Sequence, residues 1–223
     1  MLRHRFACYG LAAAMALTVA GAAGAATERF SVLLGGRTLG TLSFDSGTQT
    51  ILTVLDNTPL GVGDGRSEST ARTVRASNGD TVIQYIGRKS DRVISVLFDG
   101  ARAIETVVEP ASERTEMSDV SRVPEGVLNM VAGFERIIAS NGCPSRFAMY
   151  DGRRVIDVQT TRATPTDGGL TCELAYRVTA GPGHMSPFRF SNIAITLQFT
   201  TAGGQRLQQA TIEAGVFTVD LVR

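Results

Sequence analysis

Five dipeptides of the kind that close tight β-hairpins punctuate this chain: Gly35-Gly36, Asn78-Gly79, Asp99-Gly100, Asp151-Gly152 and Gly203-Gly204. A two-residue turn between antiparallel strands needs left-handed backbone angles, which glycine reaches without a Cβ clash and Asn or Asp tolerates. The pairs lie between runs rich in β-branched, aliphatic and aromatic residues, such as TVIQYI (Thr81 to Ile86), VISVLF (Val93 to Phe98) and ITLQFT (Ile195 to Thr200). One such signal is ambiguous, but five predict an antiparallel meander. The expected fold is mainly β: a curved or spiral antiparallel sheet, open and barrel-like, with one packed α-helix near residues 124–140.

A register can be written for FAMYDGRRVIDVQ, Phe147 to Gln159. With Asp151 and Gly152 as the loop, Tyr150 faces Arg153, Met149 faces Arg154, Ala148 faces Val155, Phe147 faces Ile156 and Arg146 faces Asp157. Phe147, Met149 and Ile156 then share one face, while Arg146 and Asp157 meet as opposite charges on the other. Asp151 reads as a turn residue and not as a catalytic acid. Arg153 and Arg154 flank the turn, with solvation as their first reading and an anion contact as their second.

One segment departs from the period of two. PEGVLNMVAGFERIIASNG, Pro124 to Gly142, opens on proline with an early Glu125 and closes on Asn141-Gly142, a helix stop signal. Val127, Val131, Phe134 and Ile138 recur at helical spacing and make one apolar stripe, which the concave side of a bent sheet would cover. Gly126 and Gly133 each weaken a helix by up to ~1 kcal/mol, so close packing against the sheet is what they permit. Cys143 follows at once and can tie the helix end to the strand carrying Cys172.

The first residues, MLRHRFACYGLAAAMALTVAGAAGAA, carry Arg3 and Arg5, then an apolar run from Phe6 to Ala20, then small residues. That is the build of a secretory signal. Ala23-Gly24-Ala25 offers an A-x-A site, giving residues 1–25 as signal peptide and 26–223 as one domain, long enough to bury roughly 70% of its unfolded surface. The run is shorter than the ~20 residues that span a bilayer, so no stable membrane anchor is expected after cleavage. Cys8 lies at the start of the run, the wrong end for a lipid-carrying cysteine.

The formal net charge is +1, and about −1 without Arg3 and Arg5, so no long-range field draws in nucleic acid. Lys89 is the sole lysine; a GC-rich genome accounts for that skew, which carries no functional weight. Beyond the signal only Cys143 and Cys172 remain, an even pair whose default in an oxidising space is a disulfide. Closing a loop of about 30 residues contributes ~3–4 kcal/mol in the chain-entropy model. A metal site and a catalytic thiol are the competing readings, and with His184 the one histidine left, zinc lacks ligands.

An export signal, a β-rich first half, a short helix, the Tyr150-Asp151-Gly152-Arg153-Arg154 strand pair and Cys172 in CELAYRVTAG form a recognisable combination. The chain resembles the proteobacterial envelope family known as domain of unknown function 3108 and, more distantly, envelope integrity protein B of alphaproteobacteria. Tyr150 to Arg154 look like the family's aromatic-D-G-basic-R turn, and Cys172, Tyr176 and Gly181 look like its C-x-x-x-Y followed by glycine. Where relatives tend to carry an aromatic before the second aspartate, this chain has Val155-Ile156-Asp157. The resemblance implies a strongly bent β sheet akin to lipoprotein-carrier folds, in the periplasm of a Gram-negative envelope, and it implies no reaction.

Chemistry is sparse. No G-x-S-x-G elbow announces a serine hydrolase, and His184, in GPGHMSPF, sits in a loop marked by glycine and proline. Glu105, Glu109, Glu113 and Glu116 could supply a carboxylate pair, but the stretch from Glu109 to Asp119 reads better as a solvated loop or strand edge. GVGDGRSEST, Gly61 to Thr70, lacks the G-K-[ST] ending of a phosphate loop and reads as a flexible connection; Asp64 and Glu68 are too few for calcium. Ile83, Tyr85, Val96, Phe98, Phe147, Ile156, Ile195, Leu197 and Phe199 are core residues first, and a ligand wall only where the helix leaves the hollow unfilled.

The expected function is therefore non-enzymatic: binding a lipid, a lipoprotein segment or an envelope protein partner and contributing to envelope integrity. Tyr150, Arg153, Arg154, Tyr176 and His184 form the set from which a ligand or partner contact would come. No cofactor, metal or nucleic acid is expected. The alternative is a periplasmic hydrolase using His184 or a carboxylate pair. A third reading is a structural module whose open sheet edge accepts a partner strand.

Overall fold

The structure, a computed structural model, describes residues 26–56, 58, 64–184, 188–201 and 204–223. Residues 1–25, expected as a signal peptide, Gly61 to Gly63 and Gly203 lie outside them, so the expectations for those residues have no counterpart below. The first half of the chain forms β1 (Thr27–Leu34), β2 (Arg37–Asp45), β3 (Thr50–Leu55), β4 (Gly65–Arg75), β5 (Thr81–Lys89), β6 (Arg92–Asp99) and β7 (Arg102–Glu109). After three short 3-10 turns between Ala111 and Arg122 come β8 (Val127–Asn129), α1 (Met130–Ile138), β9 (Phe147–Tyr150) and β10 (Val155–Thr166). β11 (Gly169–Ala180), β12 (Asn192–Thr200), β13 (Arg206–Ala214) and β14 (Phe217–Val222) complete the chain.

All these strands belong to one sheet, in the order β7-β6-β5-β4-β3-β2-β1-β14-β13-β12-β11-β10-β9-β8. β1 pairs with β14, Ser31 opposite Val222, so the first and last strands lie side by side in the middle of the sheet. Its free edges, β7 and β8, come from the middle of the chain and meet at a seam. No ladder closes that seam, but the Ala101 carbonyl accepts the N–H groups of Gly126 (2.9 Å) and Val127 (3.0 Å). The result is a nearly closed, barrel-shaped sheet with an unsealed seam. Alternation drives the curvature: Ile94, Val96 and Phe98 of β6 are buried while the residues between them are partly exposed.

The hairpin grammar holds with local shifts. Gly35-Gly36 and Asn78-Gly79 lie in the β1–β2 and β4–β5 turns. Asp99 instead stays in the ladder opposite Arg102, which leaves Gly100-Ala101 as the turn. Asp151-Gly152 opens a four-residue connection with Tyr150 opposite Val155, Met149 opposite Ile156 and Phe147 opposite Val158. The observed register is two residues from the expected one, and an even slip keeps every side chain on its face. Arg146 still meets Asp157, at 2.8 Å, as a diagonal pair. Turns at Ser90-Asp91, Asp167-Gly168 and Gly215-Val216 are additional to the five, and Asp167-Gly168 carries the same Asp-Gly signal as two of them.

α1 begins later than its sequence signals suggest. Val127–Asn129 pair in parallel with β9, and Asn129 caps the helix by accepting the Ala132 N–H at 2.9 Å. Gly126, at φ +84, breaks the chain out of helical geometry before that point. Gly133 does permit close packing, because a Cβ there would lie 2.0 Å from Met149 Sδ. Phe134 meets Phe44 edge-on at 5.7 Å. The Cys143–Cys172 disulfide ties the residues after α1 to β11.

Hairpins that alternate direction give the sheet two rims. The helix end is fastened at one: the Gln205 side chain accepts from Gly142 N–H (2.7 Å) and donates to the Ser140 and Gly142 carbonyls. The opposite rim carries the β5–β6 turn, the Asp151–Arg154 connection and residues 181–184 and 188–191.

Candidate functional site

The connection between β9 and β10 is built around one carboxylate. Asp151 Oδ1 accepts the N–H groups of Arg153 and Arg154, both at 2.9 Å, and Oδ2 stands 3.0 Å from Arg154 Nε. This pair is largely buried, with side-chain exposures of 15% and 8%. Gly152 has φ +92, and a Cβ on it would come within 2.3 Å of Ile94 Cγ2, so the connection is pressed against β6 where only glycine fits.

The stretch from Glu109 to Asp119 is the seat of that connection, a correction to its reading as a solvated loop. Ser118 Oγ donates to the Gly152 carbonyl (3.0 Å) and Thr115 Oγ1 to the Arg153 carbonyl (2.7 Å). Met117 and Ser118 are buried. Tyr150, also fully buried, donates its hydroxyl to the Met117 carbonyl at 2.6 Å and lies 3.0 Å from Thr106 Oγ1. Burial pushes its phenol up to about 12. Tyr150 thus sits in the core and lines neither cavity described below.

A basic cleft of about 540 Å³ opens beside this turn. Lys89, Arg92, Arg153, Arg154 and Arg189 line it, with Glu113 as an opposing charge. Glu113 Oε2 lies 3.0 Å from Arg92 and 3.0 Å from Arg153. The Arg92 hydrogen bond, with the charge of Arg153, holds its carboxyl below the usual range, so Glu113 is a fixed anion and not a proton donor. Burial lowers the Arg153 pKa, and the neighbouring charge of Arg92 adds to that.

Inside the sheet lies a second cavity, a hollow of about 320 Å³. Its wall is mainly apolar, with Phe30, Phe134, Met149, Leu197, Leu207 and Leu221 among its residues. Ser69, Tyr85, Tyr176 and Asp151 contribute the polar atoms. Burial raises the Tyr85 phenol to about 12, and the Tyr176 phenol is raised by burial and by the Asp151 charge, so both hydroxyls stay protonated.

The two cavities share a thin wall. Tyr176, on the hollow side, shares a hydrogen bond of 2.7 Å with His184 Nε2, on the cleft side. Asp151, on the hollow side, pairs with Arg154 on the cleft side. His184 is held by a bridge to Phe190, N–H to carbonyl in both directions at 2.8 Å. Burial, then the Arg154 charge, drives its pKa down to about 4, so the imidazole is neutral at pH 7.

Arg153, Arg154, Tyr176 and His184 therefore converge on one rim, and Tyr150 supports them from the core. Of the apolar residues named from sequence, Tyr85, Ile195 and Leu197 line the hollow, while Val96, Phe98, Phe147, Ile156 and Phe199 are buried in the core clusters. Sequence reasoning missed Lys89 and Arg92, which flank the β5–β6 turn, and Arg189, which precedes β12; it also missed Phe30, Leu207 and Leu221, whose alternation gave a face but no neighbour. Residues 65–70, read as a flexible connection, are ladder in β4. Among the described residues no group of three His, Cys, Asp or Glu could hold a metal ion, and no helix is long and apolar enough to cross a membrane.

Neither a family model nor a curated protein matches the chain. Among solved structures, the crystal structure of Mycobacterium tuberculosis lipoprotein LppX is similar over 89% of this chain and 85% of that one, at 17% identity and a TM-score of 0.27. A superposition that loose carries no argument about function.

Proposed function

We propose that this protein binds a lipid-like, largely apolar molecule in the hollow of its sheet, without transforming it, as an exported protein of the periplasm. The observation that carries this reading is the hollow itself: about 320 Å³ of mainly apolar wall left open between α1 and β12–β14. An apolar cavity of ~150 Å³ already takes a benzene-sized molecule, so the space suits a medium alkyl chain. The Cys143–Cys172 disulfide fits an oxidising compartment. Kinship with the proteobacterial envelope family, and a part in envelope integrity, remain proposals resting on the Tyr150–Arg154 turn and the Cys172-x-x-x-Tyr176 spacing.

The test is extraction of the natively purified, unstripped protein followed by mass spectrometry. A stoichiometric acyl or isoprenoid species, absent from an Ala210→Phe variant that fills the hollow, is expected. Recovery of nothing apolar from either protein, together with no uptake of added decanol, would sink the reading.

A further inference from the structure

The basic cleft holds more positive charge than its own carboxylates neutralise. Glu113 is shared by Arg92 and Arg153, and Asp151 faces one edge of Arg154. Lys89 and Arg189 line the same space with no carboxylate partner among the described residues. Arg154 is the most unusual member. It is 6% exposed; its Nε faces Asp151 Oδ2 at 3.0 Å, but its Nη1 has no hydrogen-bond partner. A guanidinium has five N–H donors, and leaving those of one buried nitrogen unused is costly unless an acceptor arrives. An oxyanion in the cleft supplies that acceptor and relieves the crowding of Arg92, Arg153 and Arg154.

The place of the cleft says what the oxyanion is attached to. Asp151 and Tyr176 border the hollow, and their direct partners Arg154 and His184 border the cleft. A ligand passing between these two pairs has its head among arginines and its chain against Phe134 and Leu207. We infer that the cleft seats an oxyanion headgroup (phosphate, sulfate or carboxylate) and that the ligand is an anionic amphiphile. The inference rests on reading the hollow as a ligand site. Arg154 is the central contact, used as a fork toward oxygen; Lys89 and Arg189 close the outer side.

Three probes separate the headgroup from the hollow: decyl phosphate, decanol and inorganic phosphate, titrated by calorimetry into the delipidated full-length mature chain. Decyl phosphate should bind about tenfold more tightly than decanol, as charge-assisted hydrogen bonds to a guanidinium allow. That ratio should fall toward one in Arg154→Gln and by a few-fold in Arg189→Gln, and it should shrink as salt is raised. Arg189 is exposed, so its variant keeps the test valid where Arg154→Gln melts early. Equal binding of decyl phosphate and decanol, or a ratio unmoved by both substitutions, overturns the headgroup site and leaves the hollow standing. Binding of inorganic phosphate as tight as that of decyl phosphate, with no binding of decanol, overturns both, leaving a cleft for a free anion.

Discussion

Tyr150 and Leu207 both face the interior of one rolled sheet, yet the first is packed on every side and the second borders open space. Around Tyr150, the seam side collects Phe98, Val96, Val127, Val131 and Met117, and the Tyr150 and Phe98 rings meet edge-on at 6.4 Å. Around Leu207, the opposite side collects Phe30, Leu197, Ala210 and Leu221, and these residues wall the hollow. Both sides come from hairpins with the same alternation. They differ in what reaches inward. The seam side receives the start of α1 and the 3-10 segment, with Met117, Val127 and Val131 buried, whereas over the other side partly buried side chains such as Met130, Phe134 and Ile137 leave the hollow open. Which way a side chain points is thus a local property, and whether it meets anything is a property of the whole chain.

The largest expected contrast is between truncations. Tyr150→Ala removes a fully buried ring with two hydroxyl contacts and should cost ~3–5 kcal/mol, while Leu207→Ala, beside existing space, should fall at the low end of ~2–5 kcal/mol. Urea unfolding of both variants measures it. Next comes the tether. Replacing Cys143 and Cys172 together by alanine frees the segment after α1 from β11 and should cost ~3–4 kcal/mol in the chain-entropy model, read as a lower unfolding midpoint under non-reducing conditions.

Enlargement should reverse the sign between the two sides. Ala103→Leu on the packed side should destabilise by ~1–3 kcal/mol, whereas Ala210→Leu on the hollow side should be neutral or stabilising by ~0.5–2 kcal/mol. Thermal melts of the ligand-free proteins report the difference, and a loss in both would mean that the hollow is too tight to accept a methylene.

A smaller effect follows from the wall between the cavities. The folded-state pKa of His184 lies near 4, below the ~6.5 of an unfolded histidine. Its contribution to stability is therefore complete above pH ~6.5 and is lost as pH falls through about 4. His184→Gln should flatten that part of the stability profile, and superimposable profiles would remove His184 from the wall. The smallest change is expected at Arg146→Ala, whose ion pair with Asp157 is exposed on the arginine side and is worth less than ~1 kcal/mol.

Sequence carried the architecture and much of one rim. Glycine pairs gave the meander, and the two cysteines gave the tether, because both signals are local or leave a single partner. The Asp151-Gly152 register missed by two residues because the turn's length was set by contacts with Ile94, Ser118 and Thr115, which are distant in sequence. The helix start missed because Val127 serves equally well as a helical stripe residue and as a strand residue, and pairing with Ala148 decided the matter. The cleft was half legible: Arg153 and Arg154 stood out beside a turn, but Lys89, Arg92 and Arg189 join them only after the sheet rolls up. The hollow was not legible, since empty volume has no residue of its own.

The chain has no tryptophan, so a single introduced indole can report on each side. With Ile212→Trp in the hollow wall and Phe98→Trp in the packed side, a decanol carrying a terminal bromine is titrated and fluorescence quenching followed. The account predicts saturable quenching at position 212 and none at 98. Equal quenching at both positions, or none at 212, would contradict it.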